Sequence, residues 1–173
     1  MHKSVYIETS IPSFYFEIRP EPEMVARRNW TRDWWDNHSH NYELVISDPV
    51  LDELERGVYP NQEEALKLID GLPFLAVNEE VIEIAKVYIA NKTMPKDPTG
   101  DAIHLAFWLR RWNFWEDKTM KDDKTISRIR TVRHQISAKF GHNVERLGKY
   151  YMKRQARHKN RLFTGSGTVV VHS

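Results

Sequence analysis

Three acidic residues, Glu8, Glu53 and Asp101, stand where a folded chain could use them together. Glu8 follows Val5-Tyr6-Ile7, a run suited to a strand buried on both faces; Pro12 cannot continue the ladder, so the strand ends near Ser10 with Glu8 at its carboxyl end. Glu53 lies on a helix expected from Asp48-Pro49 to a stop at Gly57, three residues after Val50 and next to Leu54. It therefore borders the apolar face of Val50, Leu51 and Leu54, while Asp52 and Glu55 fall to the wet side. Asp101 opens a helix whose Ala102, Leu105, Ala106 and Leu109 form an apolar stripe. Each acid alone has a plainer reading: an edge-strand Glu facing water, an exposed helix Glu, an Asp acting as cap or dipole partner. His104 is likewise more ordinary as a packed or surface group than as a metal ligand.

Brought together, the three carboxylates have a chemistry that none has alone. At ~5 Å and an effective dielectric of ~20, each ionised pair repels by roughly 3 kcal/mol, so the cluster needs a cation or shared protons. Oxygen-only donors favour Mg²⁺ or Mn²⁺ over Zn²⁺ and suit phosphate chemistry. Such an ion positions and deprotonates water for attack on phosphorus, and a second ion, where present, stabilises the leaving oxygen. Thr9 or Ser10 is the expected holder of that water.

The elements that must position these acids follow from periodicity and caps. A helix is expected from Pro22 to about His38, with Trp30, Trp34 and Trp35 as an aromatic stripe that serves packing, in the core or between copies, or stacks bases. Tyr42–Ser47 reads as a second strand, capped onto the next helix by Ser47 or Asp48. A helix through Ile69, a third strand Phe74–Val77 and a helix after Asn78 with Val81, Ile84, Ala85 and Tyr88 on one face come next. A loop from Met94 to Gly100 then leads to Asp101. Strands alternating with helices predict an α/β fold with a central parallel sheet, whose ligand crevice lies outside the strands' carboxyl ends.

Composition narrows the function classes. The 173 residues, 40% hydrophobic and 12% aromatic, describe a globular chain with a real core. The absence of Cys excludes disulfides, thiolate-held metals and thiol catalysis. No signal-peptide-like run or 18-residue apolar stretch is present, so a cytoplasmic protein without membrane spans is expected. The net charge of +2 conceals two halves: residues 1–107 carry 10 Lys+Arg against 19 Asp+Glu, net −9, and residues 108–173 carry 16 against 5, net +11. An acidic front suits divalent cations; a basic rear suits phosphates, acidic partners or the acidic front itself.

Three blocks carry a resemblance: Tyr6-Ile7-Glu8-Thr9-Ser10-Ile11-Pro12-Ser13, the Ile46–Leu54 segment ending in Asp52-Glu53-Leu54, and Met94-Pro95-Lys96-Asp97-Pro98-Thr99-Gly100-Asp101-Ala102-Ile103-His104-Leu105-Ala106. In this order, over about residues 1–107, they resemble PIN-domain proteins, in particular VapC-like toxins of type II toxin–antitoxin pairs. The resemblance implies a Rossmann-like α/β/α sandwich and a Mg²⁺- or Mn²⁺-dependent endoribonuclease leaving 3′-hydroxyl and 5′-phosphate ends. It implies Glu8, where most of the family has Asp, with Glu53 and Asp101 as the metal-holding catalytic acids, and Asp48 and Asp97 as reserves. An antitoxin whose tail blocks the acidic cleft and a homodimer are implied as well.

The rear third departs from that pattern. The family normally continues to a strand beside the first one and a Thr-Trp-Asn-like motif; here Trp108–Asp117 is followed by a charged turn and a basic segment. Ile126, Ile129, Val132, Ile136, Phe140, Val144 and Leu147 recur there at a helical period interrupted by Gly141 and weakened by Gly148. A PIN-like domain over 1–111 and a basic, helical or disordered extension over 112–173 are therefore expected. That extension reads as a diverged ending that binds RNA or an acidic antitoxin, as a solvated tail, or as the product of a shifted reading frame. A catalytically inactive module binding RNA or a protein partner is the alternative to the nuclease. Val169-Val170-Val171 is a short candidate for a late strand.

Overall fold

Strand β1, Lys3–Tyr6, lies at the centre of the sheet because Val5 and Tyr6, with Ile7 just beyond, present apolar or aromatic side chains to both faces, and all three are buried. The computed structural model describes residues 3–58, 60–90, 98–109, 124–163 and 169–170. After β1 come α1 (Ser10–Tyr15), α2 (Pro22–Asn37), a 3-10 turn at Ser39–Asn41, β2 (Tyr42–Ser47), α3 (Asp48–Arg56) and α4 (Gln62–Ile69). Then follow β3 (Phe74–Leu75), α5 (Glu79–Ala90), α6 (Pro98–Leu109), α7 (Lys124–Ala138), α8 (Val144–Arg154), a 3-10 segment (Gln155–Arg161) and β4 (Val169–Val170).

The strands form one parallel sheet in the order β3-β2-β1-β4. Val5 pairs with Leu44 on one side and Val170 on the other, so the late valines supply the second neighbour of β1. The fold is thus α/β with a small parallel sheet, as the alternation of elements predicts. Strand β3 is two residues shorter than expected. Helix α6 starts at Pro98 rather than at Asp101, since a proline at the first turn loses no helical hydrogen bond and arrives with φ already set. Among the described residues, no helix is long and apolar enough to cross a membrane.

Packing joins the two halves of the chain. Ile129, Val132 and Ile136 of α7 and Val144, Leu147 and Tyr151 of α8 belong to the same buried cluster as Val5, Val45 and Leu54. The rear period is therefore the stripe by which α7 packs on α1, α3 and α6, and α8 on α3, α5 and α6. The boundary expected at 111/112 lies outside the described residues. Of the aromatic stripe on α2, Trp34 and Trp35 pack against the core, Trp34 stacking on Tyr42 at 6.2 Å, while Trp30 is 73% exposed. Helix α6 buries Ala102, Ile103, Ala106 and Phe107; the expected side chains of Leu105 and Leu109 fall outside what the structure describes.

Gly141 and Gly148, which break the rear period, have different reasons. Gly141 takes φ +64 between α7 and α8, a conformation that costs glycine nothing. Gly148 lies inside α8, where a Cβ would fall on the side chain of the fully buried Ile82 of α5. Gly148→Ala is expected to lower stability by about 1–3 kcal/mol despite alanine's better helix propensity, because overpacking outweighs it. The urea midpoint measures this; an unchanged or raised midpoint means that α5 and α8 do not approach so closely.

Candidate functional site

The carboxyl ends of β1 and β2 and the first turn of α6 bring Glu8, Glu53 and Asp101 together, and all three meet one cation, the guanidinium of Arg133 on α7. Arg133 Nε donates to Glu53 Oε1 at 2.7 Å, Nη1 donates to Asp101 Oδ1 at 2.8 Å, and Nη2 donates to Glu8 Oε1. The two lengths are those of charge-assisted hydrogen bonds. Side-chain exposure grades across the site: Glu53 2%, Arg133 12%, Asp101 23% and Glu8 24%. Glu53 is the floor, and the site opens to solvent on the Glu8 and Asp101 side.

Each acid is also held from behind. Ser10 Oγ donates to Glu8 Oε2 at 2.5 Å, and Thr9 Oγ1 donates to Glu53 Oε2. His104 Nε2 lies 2.7 Å from Glu53 Oε1. An ionised carboxylate only accepts, so Nε2 carries the hydrogen, and the Tyr6 hydroxyl lies 3.0 Å from Nδ1. Tyr6 in turn lies 2.6 Å from Ser47 Oγ, which explains why Ser47 stands at the N-cap of α3 without a side-chain cap bond. His104 thus orients Glu53, the role in which a helix histidine behind a carboxylate fixes geometry rather than binding an ion.

Charge follows this geometry. Burial pushes the Glu8 carboxyl up, but Arg133, His104 and Ser10 outweigh it and hold it at about 2. Glu53 is lowered by the same contest between burial and the opposing Arg133 and His104. Burial works against the Arg133 charge, yet Glu53, Glu8 and Asp101 hold it well above the ordinary value. Burial lifts the Tyr6 phenol far above its usual range, so it stays neutral.

A second cluster forms on the other side of α3. Asp52, expected on the wet side, is 1% exposed: Arg56 Nε donates to its Oδ1 at 2.7 Å, and Arg154 of α8 comes within 3.3 Å. The local pattern could not show this, because the cover comes from α8. Asp48, a reserve for the metal site, belongs to this second cluster. Its Oδ1 lies 3.3 Å from Arg154 Nε and 3.8 Å from His158 Nε2, and neither carboxylate oxygen has a hydrogen bond among the described residues. Burial, reinforced by Asp52 and Glu55 and only partly opposed by Arg154, pushes its carboxyl up to about 6. The native state therefore holds a proton that the unfolded chain has released between about pH 4 and pH 6, and stability falls as pH rises through that window. Asp48→Asn is expected to be neutral at pH 4 and to stabilise by about 1–3 kcal/mol at pH 7.5, read from urea midpoints. A variant less stable than wild type at pH 7.5 makes the Arg154 contact the dominant one. Asp97 lies outside the described residues.

Among the described residues, no group of three or more His, Asp or Glu is arranged to hold a metal ion. The reason is visible: the three acids are spaced around a guanidinium, with N–H···O lengths of 2.7 and 2.8 Å, rather than drawn to the 2.0–2.1 Å that Mg²⁺ demands. The donor set itself, three carboxylates sharing one positive charge, fits a hard divalent cation.

Arg133 was not a predicted site residue, although two signals pointed to it. It is four after Ile129 and three before Ile136, bordering the buried stripe as Glu53 does on α3, and the basic rear suited the acidic front. Comparison with protein-family models, curated proteins and solved structures finds no match.

Proposed function

We propose that this chain is a Mg²⁺- or Mn²⁺-dependent endoribonuclease with a PIN-like α/β/α sandwich, of the VapC-like kind that pairs with a small antitoxin and forms homodimers. The observation that carries the reading is the convergence of Glu8, Glu53 and Asp101, from three separate parts of the chain, on one cation at the carboxyl ends of a parallel sheet. When bound, the divalent ion supplies a polarised water and neutralises charge on the phosphodiester. Glu8, Glu53 and Asp101 hold it. Thr9 and His104 keep Glu53 in place, Ser10 does so for Glu8, and the exposed edges of Glu8 and Asp101 leave the approach open. Hydrolysis breaks the bond between phosphorus and the 3′ oxygen, giving a 3′-hydroxyl and a 5′-phosphate.

A second reading is favoured by one specific observation, the guanidinium lodged among the acids: a catalytically inactive module that binds RNA or an acidic protein partner. Lys139, Arg146, Lys153, Arg157 and Lys159 are exposed on the basic rear and would carry such binding. Incubating the purified chain with a structured RNA mixture and Mn²⁺, beside EDTA, separates the readings. Cleavage abolished by EDTA supports the nuclease. Intact RNA retained with a steep salt dependence supports the binding module.

A further inference from the structure

We infer that Arg133 and a divalent cation are mutually exclusive occupants of the three-carboxylate site, so that metal loading is gated by withdrawal of the Arg133 side chain. This rests on the reading of Glu8, Glu53 and Asp101 as a metal centre.

The exclusion is steric as well as electrostatic. Arg133 takes one oxygen from each acid, and the second oxygens of Glu8 and Glu53 are engaged by Ser10 and Thr9. Drawing three oxygens to within 2.0–2.1 Å of a metal ion requires the space that the guanidinium fills. Charge then makes the exchange possible: three carboxylates around one guanidinium leave negative charge over, and a dication matches it better.

The moving part is the side chain and not the helix. Thr125 Oγ1 at the start of α7 donates to the buried Glu17 Oε2 at 2.9 Å, and Ile129, Val132 and Ile136 bury its inner face. Arg133 borders that face, with Arg130 and His134 exposed on the same helix, so rotation about its own bonds carries the guanidinium toward solvent while α7 stays packed. Glu8 and Asp101 are the more exposed acids, so theirs is the side on which a cation reaches the site.

The test is Mn²⁺ binding, followed by the electron paramagnetic resonance of the free ion, to wild type, Asp101→Asn, Arg133→Met and the double variant Arg133→Met with Asp101→Asn. Methionine keeps the apolar stem and removes the charge. Arg133→Met is expected to bind Mn²⁺ at least about tenfold more tightly than wild type, with the gain lost in the double variant. Equal Asp101-dependent affinity in wild type and Arg133→Met overturns the gate and leaves the metal centre standing. No Asp101-dependent binding in either overturns the metal centre, and the gate with it. If Arg133→Met does not fold without metal, its melting temperature is followed as Mn²⁺ is added. Recovery that Asp101→Asn abolishes supports exclusive occupancy; no recovery at millimolar Mn²⁺ overturns it.

Discussion

Asp101→Asn is expected to lower Mn²⁺-dependent RNA cleavage by more than about 100-fold while leaving the fold intact. The asparagine carbonyl can still accept from Arg133 Nη1, the bond Asp101 makes at 2.8 Å, so the site keeps its shape. It loses one of three negative charges and the best ligand type for a hard ion. Replacing residues that merely support a metal ligand typically costs 10–100-fold, and removing a ligand exceeds that. Cleavage rates with Mn²⁺, beside the far-ultraviolet circular dichroism of both proteins, make the comparison. Equal rates would remove Asp101 from the catalytic centre. A wild type that does not cleave, with RNA retention unchanged in Asp101→Asn, favours the binding module.

The largest expected loss of stability comes from the opposite partner. Arg133→Ala leaves Glu8, Glu53 and Asp101 facing one another with no cation, and breaking a buried ion pair from one side costs about 3–5 kcal/mol. The loss has a pH signature. In the wild type, Glu8 is held at about 2 and Glu53 below its ordinary value, so both contribute stability above about pH 4.5 that is lost as pH falls toward 2. Without Arg133, burial is opposed only by His104 and, at Glu8, Ser10, so both groups rise and the variant is penalised at neutral pH and relieved as the acids protonate. The gap in urea midpoint between the two proteins is therefore widest near pH 7 and closes below about pH 3. A gap independent of pH would mean that Arg133 acts through packing of its stem and not through its charge.

The two charge clusters give the asymmetry of the chain a physical use. Arg133 of α7 meets the three acids of the candidate site, and Arg154 of α8 meets Asp48, Asp52 and Glu55 across α3. Of the three partners suggested for the basic rear, the acidic front receives Arg133, Arg154 and, at Asp70, Arg161. Lys139, Arg146, Lys153, Arg157 and Lys159 are exposed on the same rear segment.

Local chemistry determined the elements and the faces on which their residues lie. Pro49 and Gly57 bound α3, Asn78 caps α5 by accepting from Val81 N at 3.1 Å, and Pro22 starts α2, because caps and fixed φ angles act within a few residues. The border positions of Glu53 and Asp101 followed from the same short-range rules, whereas β1 stops at Tyr6, four residues before the end expected near Ser10, where α1 begins instead. Tertiary structure alone decided what each face meets. Glu53 and Arg133 are 80 residues apart, and nothing in either neighbourhood selects the other until α7 packs on α3. The same holds for Asp52 under Arg154, and for Val169–Val170 beside β1. Periodicity tells a helix which side to bury. Only the packing of distant segments tells a charge at the edge of that side which countercharge it will find.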